Sequence, residues 1–371
     1  MDAIPSPEQL GAAAANVFDR IVRGGLADMR PLPSSIVAEG PQRTVRRFLR
    51  GDERRDAEPP AAGGAAPVLL VPPLAAPARC FDLRRGCSVA EHLLAAGHRT
   101  YLVDYGTIAF GDRNLGIEHW VDEVIPRAVA AASADSGGAP VQLVGWCLGG
   151  IMALLSVAAD AALPVRSVAA IASPFDVREV PLVAPFRPLV NLAGGSVGAA
   201  FYRLLGGAPA PLVRRLYQLA GFDKYVMKPL ALATNLDDRD FLAQVEAVDW
   251  FMANMLAYPG RTFGQLYHRM LRHNDLANGR IELGGRTIDL AAITVPVLSI
   301  AGEGDGIAPR AAVHHVAELL PNAAEVRTAI APGGHLGVLT GRAARTTTWR
   351  LLDDFLLATA AEPRRHLRAV A

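Results

Sequence analysis

The sequence predicts an α/β protein with a doubly wound, mostly parallel sheet. Short apolar runs, typical of buried strands, alternate along the chain with longer segments of helical periodicity. That alternation is the pattern of parallel strands joined by crossover helices. We expect helices over 88–97, 117–132 and 346–359, and strands over 44–49, 67–71, 100–104, 141–144, 168–172, 295–301 and 325–330.

The alternation of strands and helices is interrupted once, which predicts an insertion. Between about 177 and 290 the apolar patterns are helical, broken by prolines and glycines, with no clear buried strand. We therefore expect an N-terminal helix and linker in 1–60, a core formed by 61–176 and 291–360, and a mostly helical cap in 177–290. A separate helical domain is the alternative for 177–290, but the sheet pattern resumes after it, which favours a cap.

An amphipathic helix begins near the N-terminus. Ser6 followed by Pro7 is typical of a helix start, and Gly24-Gly25 of its end. One face of this helix is apolar, formed by Leu10, Ala14, Val17, Phe18, Ile21 and Val22. We expect this face to pack on the body of the protein; a partner subunit is the alternative.

Composition and charge exclude several classes of protein. The 371 residues are 51% hydrophobic and 20% charged, with a formal net charge of +1, so nothing predicts a basic nucleic-acid-binding face. Three cysteines do not form a disulfide framework, and the nine histidines show no metal-ligand spacing. We see no signal peptide and no apolar run of the ~18 residues that a membrane span needs. We expect a cytoplasmic protein without a metal site.

The chain is organised around a turn that carries a cysteine. Gly145-Trp146-Cys147-Leu148-Gly149 has the pattern G-x-nucleophile-x-G, between an apolar strand and a helical run. Such a turn exposes the nucleophile above the sheet, at the N-terminus of the following helix. The alternative is a glycine-rich turn around an inert, buried cysteine. Its context between strand and helix, with matching partners downstream, leads us to predict Cys147 as the nucleophile.

Two later loops supply an acid and a base. Asp305 follows the strand at 295–301, and His335 follows the strand at 325–330, in a loop rich in glycine. Nucleophile, acid and base in this chain order are typical of the α/β-hydrolase fold. Glu303 is the nearest competitor for the acid, and Asp305 could instead be a turn residue that accepts local hydrogen bonds.

The remaining candidates are the donors of an oxyanion hole. The N–H of Leu148 follows the nucleophile, and the loop after the strand at 67–71 supplies the second donor in this architecture. Because Pro72-Pro73 have no N–H, the first donors in that loop are Leu74 and Ala75. Cys80 and Cys87 are interpreted as structural. Asp104, at a strand end, is interpreted as a loop anchor.

These motifs together resemble the poly(3-hydroxyalkanoate) synthases, especially the short type that pairs with a second subunit. The resemblance extends from about Val37 to Leu356. Its motifs are the cysteine box at 145–150, Val71-Pro72-Pro73 with Phe81-Asp82-Leu83, the segment 283–296, the acid loop at 302–309 and the histidine loop at 332–337.

The resemblance implies an acyl group carried on Cys147, taken from a (3R)-hydroxyacyl-CoA or another acyl thioester, and ester formation activated by His335. It also implies a location in the cytoplasm or at a polymer granule, and a homodimer or an accessory second subunit. Departures from the family pattern at Gly306, at 74–77 and at 105–109 leave three alternatives open. These are a non-polymerising acyltransferase, a thioesterase or esterase, and an accessory protein without turnover.

Overall fold

A sheet of eight strands forms the centre of the molecule. The computed structural model describes residues 6–51, 66–180, 207–220 and 222–360, except for the side chains of 219, 220 and 222–226. In chain order the strands are β1 (Ser34–Gly40), β2 (Arg43–Phe48), β3 (Val68–Val71), β4 (Asp82–Arg84), β5 (Cys87–Ser88), β6 (Thr100–Asp104), β7 (Val141–Trp146), β8 (Val165–Ile171), β9 (Gly207–Ala208), β10 (Tyr258–Pro259), β11 (Arg280–Leu283), β12 (Arg286–Asp289), β13 (Val297–Gly302) and β14 (Val326–Ala331).

Helices connect and cover these strands. They are α1 (Pro7–Val22), α2 (Val89–Ala95), α3 (Ile117–His119), α4 (Ile125–Asp135), α5 (Leu148–Ala159), α6 (Ala210–Ala220), α7 (Phe222–Thr234), α8 (Arg239–Ala253), α9 (Gly260–Gln265), α10 (Arg310–His314), α11 (Val316–Leu319), α12 (Gly337–Thr340) and α13 (Thr348–Ala360). A π-helix, Trp120–Val124, joins α3 to α4, so the helix expected over 117–132 forms as three consecutive segments.

The strand order confirms the α/β prediction. The large sheet runs β1-β2-β6-β3-β7-β8-β13-β14, and every pair from β6 to β14 is parallel. Only β1 and β2, at one edge, are antiparallel to their neighbours. The central strands β3 and β7 are fully buried along their length, which explains why they are apolar without alternation. The carboxyl ends of β7, β13 and β14 consequently meet along one rim of the sheet.

The first strand of the sheet was not predicted. β1 precedes the expected strand at 44–49, which forms as β2, and a tight turn through Gln42 joins the two. The apolar residues of β1, Ile36, Val37 and Ala38, are consecutive and do not alternate with polar ones, and every residue of the strand is half-buried or exposed. A strand at the edge of a sheet packs against few other residues and needs little apolar periodicity. The sequence of β1 therefore did not indicate a strand.

The region between β8 and β13 contains helices α6 to α9 and two small strand pairs. Its predicted boundaries at 177 and 290 stay a prediction, and residues 181–206 lie outside the described part of the chain. The strand pair β9–β10 is only two residues long on each side. The hairpin β11–β12 turns through Gly284 and Gly285, both at positive φ, as two-residue hairpins require. The expectation of no clear strand was wrong here, because alternation of Ile281, Leu283 and Ile288 around Gly-Gly is a hairpin signal.

The N-terminal helix forms as predicted but faces the other way. Ser6 and Gln9 form a reciprocal capping box at its start. Its polar residues Asn16 and Asp19 are buried against the body, whereas its apolar face is exposed. The expectation that the apolar face packs on the body was therefore wrong, because polar side chains dock the helix instead.

Candidate active site

The cysteine turn has the strained geometry of a nucleophile elbow. Cys147 lies between β7 and α5 at φ 54° and ψ −124°, a conformation that L residues rarely adopt. Its N–H donates to the Ile171 carbonyl on β8 at 2.8 Å, and its own carbonyl accepts from the Ser173 hydroxyl at 2.7 Å. These bonds from the neighbouring strand end hold the backbone of the turn in place. Residue Cys147 as a whole is 9% exposed.

Glycines allow the elbow to lie against the sheet. A Cβ on Gly149 would approach the Val71 carbonyl oxygen to 2.2 Å, and one on Gly145 would come within 2.5 Å of the Gly150 backbone. Real side chains do not tolerate such distances, so only glycine permits the passage of strand past helix. The contact of Gly149 with the end of β3 also brings the loop after β3 directly beside Cys147.

Asp305 and His335 meet at the same rim of the sheet. The His335 Nδ1–H donates to Asp305 Oδ2 at 2.8 Å, and both residues are buried. The other carboxylate oxygen, Oδ1, accepts from the backbone N–H groups of Ile307 and Ala308 at 2.9 and 2.8 Å. Asp305 is thus both a turn residue and the partner of His335, so the two interpretations of the sequence are compatible. Glu303, the competing acid, is exposed, whereas Asp305 is buried against His335.

Backbone contacts between the two loops fix this geometry. The Gly304 N–H donates to the Gly333 carbonyl at 2.9 Å, and Gly333 adopts φ +124°. A Cβ on Gly302 would meet the same carbonyl at 2.9 Å. The indole N–H of Trp146, beside the nucleophile, donates to the His335 carbonyl at 3.0 Å. The elbow and the histidine loop are therefore connected directly.

The imidazole of His335 lies within electrostatic range of Cys147. Nε2 is buried and has no hydrogen-bond partner within standard distance and angle limits among the described residues. The pKa of His335 is nevertheless raised to about 10: burial of the ring opposes the cation, but the charge of Cys147 and the hydrogen bond to Asp305 outweigh it, with a weaker hydrogen-bonding contribution from Cys147. Asp305 and Cys147 therefore both favour the protonated form of the ring.

The candidate oxyanion donors lie beside the elbow. Leu148 is the first residue of α5, and Leu74 and Ala75 form the turn directly after the two prolines that follow β3. Ala75 adopts φ 60°, and its carbonyl accepts from the Leu256 N–H at 2.8 Å, which ties the turn to the segment after α8. The three residues are close to Cys147 along the chain or across the β3–β7 pair. Their role as donors stays a prediction.

A family model decides the class of this protein. The model described as "Alpha/beta hydrolase family" matches residues 68–347. This chain belongs to the alpha/beta hydrolase family. The match spans the sheet from β3 to β14 together with the elbow and both loops that carry Asp305 and His335.

Within this alpha/beta hydrolase family, the curated relatives of the chain are polymerases. It is 26% identical to "Poly(3-hydroxyalkanoate) polymerase subunit PhaC" of Allochromatium vinosum over 89% of this chain and 90% of that protein. It is 24% identical to the protein of the same name from Haloferax mediterranei over 78% of this chain, but spans only 58% of that relative. Among solved structures, an enol-lactonase from Burkholderia xenovorans LB400 matches with a TM-score of 0.46 and 16% identity, covering 88% of this chain and 100% of that one.

Four residues near the thiol were missed from the sequence. Trp146 packs at 5.1 Å between ring centroids from His335, and Ser173 holds the elbow carbonyl. Tyr217 on α6 and Tyr258 on β10 share a side-chain hydrogen bond. The pKa values of both phenols are raised, mainly by burial, with the charge of Cys147 contributing. Trp146 lies within the elbow motif and could have been found there; nothing in the sequence pairs the two tyrosines.

The other singled-out residues have structural surroundings. Cys80 and Cys87 are fully buried, and burial raises the pKa of each thiol. The Cys87 thiol donates to the Thr340 carbonyl at 2.6 Å. Asp104 accepts from the Gly106 N–H at 3.0 Å, which anchors its loop. The interpretation of these three residues as structural fits their contacts.

Two further surveys concern the described residues only. No group of three or more histidine, cysteine or acidic side chains is arranged there to hold a metal ion. None of the helices in the described ranges is both long and apolar enough to cross a bilayer.

Proposed function

We propose that this protein is a cysteine acyltransferase of the poly(3-hydroxyalkanoate) synthase type, which forms ester bonds from a (3R)-hydroxyacyl-CoA through an acyl-Cys147 intermediate. The observation that carries the proposal is the His335–Asp305 hydrogen bond of 2.8 Å beside a cysteine in a strained elbow. The names of the relatives supply the class of substrate.

Acylation of Cys147 requires a thiolate and an acid. A cation beside a thiol favours the thiolate, and the raised pKa of His335 makes it a cation at neutral pH. The sulfur attacks the thioester carbonyl, and the oxyanion that forms accepts hydrogen bonds from the N–H of Leu148 and of Leu74 or Ala75. The C–S bond to CoA then breaks, and His335 Nε2 gives its proton to the leaving CoA thiolate.

Transfer to the acceptor returns the site to its starting state. His335 is neutral after acylation, so Nε2 can take the proton of an incoming hydroxyl as its oxygen attacks the acyl-Cys147 carbonyl. An ester C–O bond forms, the C–S bond to Cys147 breaks, and the sulfur leaves as a thiolate beside the regenerated imidazolium. Asp305 keeps the ring oriented and stabilises its charge throughout.

The surroundings of the thiol favour an organic acceptor over water. Trp146 packs on both His335 and Phe251, with ring centroids at 5.1 and 6.0 Å. Tyr217 and Tyr258 are two further aromatic residues, packed against the core within electrostatic range of Cys147. Because Cys147 and His335 are only 9% and 8% exposed, a bound acyl group would leave little room for free water. The tyrosine hydroxyls are the polar groups available to orient a substrate oxygen.

Acyl-CoA is a substrate in this proposal, and no metal or organic cofactor takes part. The relatives are named as subunits of a poly(3-hydroxyalkanoate) polymerase. The repeating bond of that polymer is an ester between a 3-hydroxyl and an acyl carbonyl. As part of the proposal, the acceptor of the acyl group in this protein is also a 3-hydroxyl group. The proposed location is the cytoplasm or the surface of a polymer granule.

Intact-mass spectrometry with 3-hydroxybutyryl-CoA tests the proposal. We expect one hydroxyacyl group per chain after rapid quenching, and peptide mapping should place it on Cys147, with Cys80 and Cys87 of the same sample as internal controls. Products are followed in parallel: a polymer or single ester supports transfer. Free acid as the sole product would make the protein a thioesterase, and a lack of any adduct or product would contradict catalysis through Cys147.

A further inference from the structure

Two buried tryptophans make the same pair of contacts, one inside the candidate active site and one outside it. The indole N–H of Trp146 donates to the His335 carbonyl at 3.0 Å, and the two ring centroids are 5.1 Å apart. The indole N–H of Trp349 donates to the Leu339 carbonyl at 2.9 Å, and its ring centroid is 4.9 Å from that of His92. The two tryptophans are 3% and 6% exposed. The contacts are alike in chemistry and differ in location.

The loop that carries His335 depends on support from outside itself. Residues 332–337 include three glycines, and glycine restricts the main chain least of all residues. The backbone N–H groups of 338–340 donate to the carbonyls of Gly334 and Leu336. The His335 carbonyl accepts instead from the indole N–H of the residue before the nucleophile.

Trp146 is itself firmly held and can support a loop. It is the last residue of β7 and pairs in register with Ile171 of β8, in the middle of the large sheet. Its ring also packs on Phe251 of α8, with centroids 6.0 Å apart, and Phe251 is 2% exposed. The sheet therefore fixes the backbone of Trp146, and neighbours on two elements confine its ring.

Trp146 and Asp305 restrain different parts of the histidine. Asp305 accepts from the Nδ1–H of His335 at 2.8 Å and so orients the ring. That bond alone does not fix the main chain, because rotation about the side-chain bonds can compensate for a shift of the loop. The indole N–H holds the main chain at the histidine itself. Both restraints are needed, since a misplacement of ~1 Å in a catalytic group can cost about 10²-fold in rate.

We propose that Trp146 is a positioning residue for His335: its indole N–H fixes the main chain of the histidine loop, and its ring forms the surface on which the imidazole packs. Trp146 makes and breaks no bond to the substrate. The inference rests on the proposed function, because the placement of His335 matters for catalysis only if this histidine transfers protons.

Two matched variants, Trp146→Phe and Trp349→Phe, test the positioning role by kinetics. Each keeps an aromatic ring and leaves one buried carbonyl without its donor, so both should lose a similar amount of stability in urea unfolding. Only Trp146→Phe should lower kcat, by about tenfold, with KM changed by less than about twofold, because the lost contact acts on the transition state. Release of CoA from 3-hydroxybutyryl-CoA gives both constants.

A titration of His335 by NMR provides a readout that needs no turnover. Against the effect of burial, the charge of Cys147 and the hydrogen bond to Asp305 hold the pKa of His335 at about 10. A displaced ring loses part of both contributions, so this pKa should fall by about one unit in Trp146→Phe. The spectrum of His335→Gln identifies the resonance.

The same titration in Trp349→Phe is the control for a general loss of packing. The ring beside Trp349 belongs to His92, whose Nε2 lies 2.9 Å from an oxygen of Asp353, so this site also combines a tryptophan, a histidine and an aspartate. Trp349→Phe should shift the resonance of His92 and leave the pKa of His335 unchanged.

An isosteric replacement covers the case in which Trp146→Phe does not fold. 3-Benzothienylalanine, incorporated at position 146, has a ring of nearly the same shape with sulfur in place of the N–H. It removes the bond to the His335 carbonyl and keeps the packing on Phe251. The fall in kcat and in the pKa of His335 should be as large as expected for Trp146→Phe.

Three outcomes would overturn the positioning role. The first is a loss of stability in Trp146→Phe with kcat and the titration of His335 unchanged. The second is a raised KM at unchanged kcat, which would make Trp146 a substrate-binding residue. The third is an equal fall of kcat in Trp349→Phe. A wild type that cleaves no acyl thioester would instead contradict the proposed function, and the titration of His335 would then decide on the positioning role alone.

Discussion

Two cysteine-bearing turns of this molecule, at Cys147 and at Cys80, place the same side chain in opposite chemical situations. Cys147 sits in a strained turn between glycines, within electrostatic range of His335. Cys80 sits in the relaxed 3₁₀ turn Ala78–Phe81, fully buried among apolar residues, and its thiol lies 3.7 Å from the Ala78 carbonyl.

In the proposed mechanism, the difference between the two turns explains why only one of the two thiols reacts. Burial by itself raises the pKa of Cys80, since an apolar setting disfavours a thiolate. Cys147 is almost as buried, but His335 and a helix N-terminus lie close to it. The proposed reactivity of Cys147 therefore depends on the charged partner and on the strained turn that presents the sulfur to it.

The strongest test of this comparison replaces each of the two cysteines separately by alanine. Cys147→Ala should lower turnover by about 10⁵-fold or more, as removal of a nucleophile does in other triads. Cys80→Ala should keep the acyl adduct and most of the activity. Adduct mass and product formation are measured for both variants. An acyl adduct that persists in Cys147→Ala would show that the comparison assigns the wrong thiol.

Removing the acid tests the charged partner. Asp305→Asn deprives His335 Nδ1–H of its carboxylate, and turnover should fall by about 10²- to 10⁴-fold. The pKa of His335 should also fall, because Asp305 is one of the groups that raise it. Steady-state kinetics and NMR titration of the imidazole measure the two effects. Glu303→Gln, in the same loop but exposed, is the control; a larger effect there would make Glu303 the acid.

The raised pKa of His335 also predicts a dependence of stability on pH. The pKa of His335 in the folded protein is about 10, against an ordinary value of 6.5 for a histidine. The protonated ring therefore stabilises the fold fully below about pH 6.5, and this contribution is lost as the pH rises towards 10. Urea unfolding of the wild type and of His335→Gln should show a stability difference that shrinks over this range. A difference that stays constant or grows would contradict the charged assignment of His335.

The glycine contact tests the geometry of the elbow. Gly149→Ala would place a Cβ 2.2 Å from the Val71 carbonyl oxygen. We expect the free energy of unfolding to fall by about 2–4 kcal/mol. Gly111→Ala, where a Cβ meets nothing within 4 Å, should leave it nearly unchanged. Thermal and urea denaturation provide the measurement; equal stability of the two variants would mean that the elbow tolerates a side chain.

The smallest expected effect concerns the aromatic side of the site. Tyr258→Phe removes one hydroxyl of the phenol pair, and we expect ester formation to slow by about fivefold, corresponding to about 1 kcal/mol for one hydrogen bond. Tyr267→Phe serves as the control, since Tyr267 packs edge-on to His268 at 5.0 Å. The ratio of ester to free acid is recorded for each variant. An unchanged rate and ratio in Tyr258→Phe would exclude the phenol from substrate contact.

The success of sequence reasoning differed between the sheet and its surroundings. β3, β7 and β13 were predicted within a few residues, because buried parallel strands are continuous apolar runs. The edge strand β14 was predicted as closely, although most of its residues are half-buried or exposed. The loops of Asp305 and His335 follow two of these strands, so their meeting at one rim followed from parallel topology. β1 was missed because this edge strand carries no alternating pattern. The hairpin β11–β12 was missed although Ile281, Leu283 and Ile288 alternate around Gly284-Gly285.

The sequence by itself determined the parallel sheet, the order of Cys147, Asp305 and His335 along the chain, and the amphipathic character of α1. Only the tertiary structure decided which face of α1 meets the body, and that Tyr217 and Tyr258 come together near the thiol. Apolar periodicity is a local property that one segment carries alone. The direction of a docked helix and the pairing of two side chains depend on groups elsewhere in the chain. Asn16 and Leu236, which hold α1, are 220 residues apart.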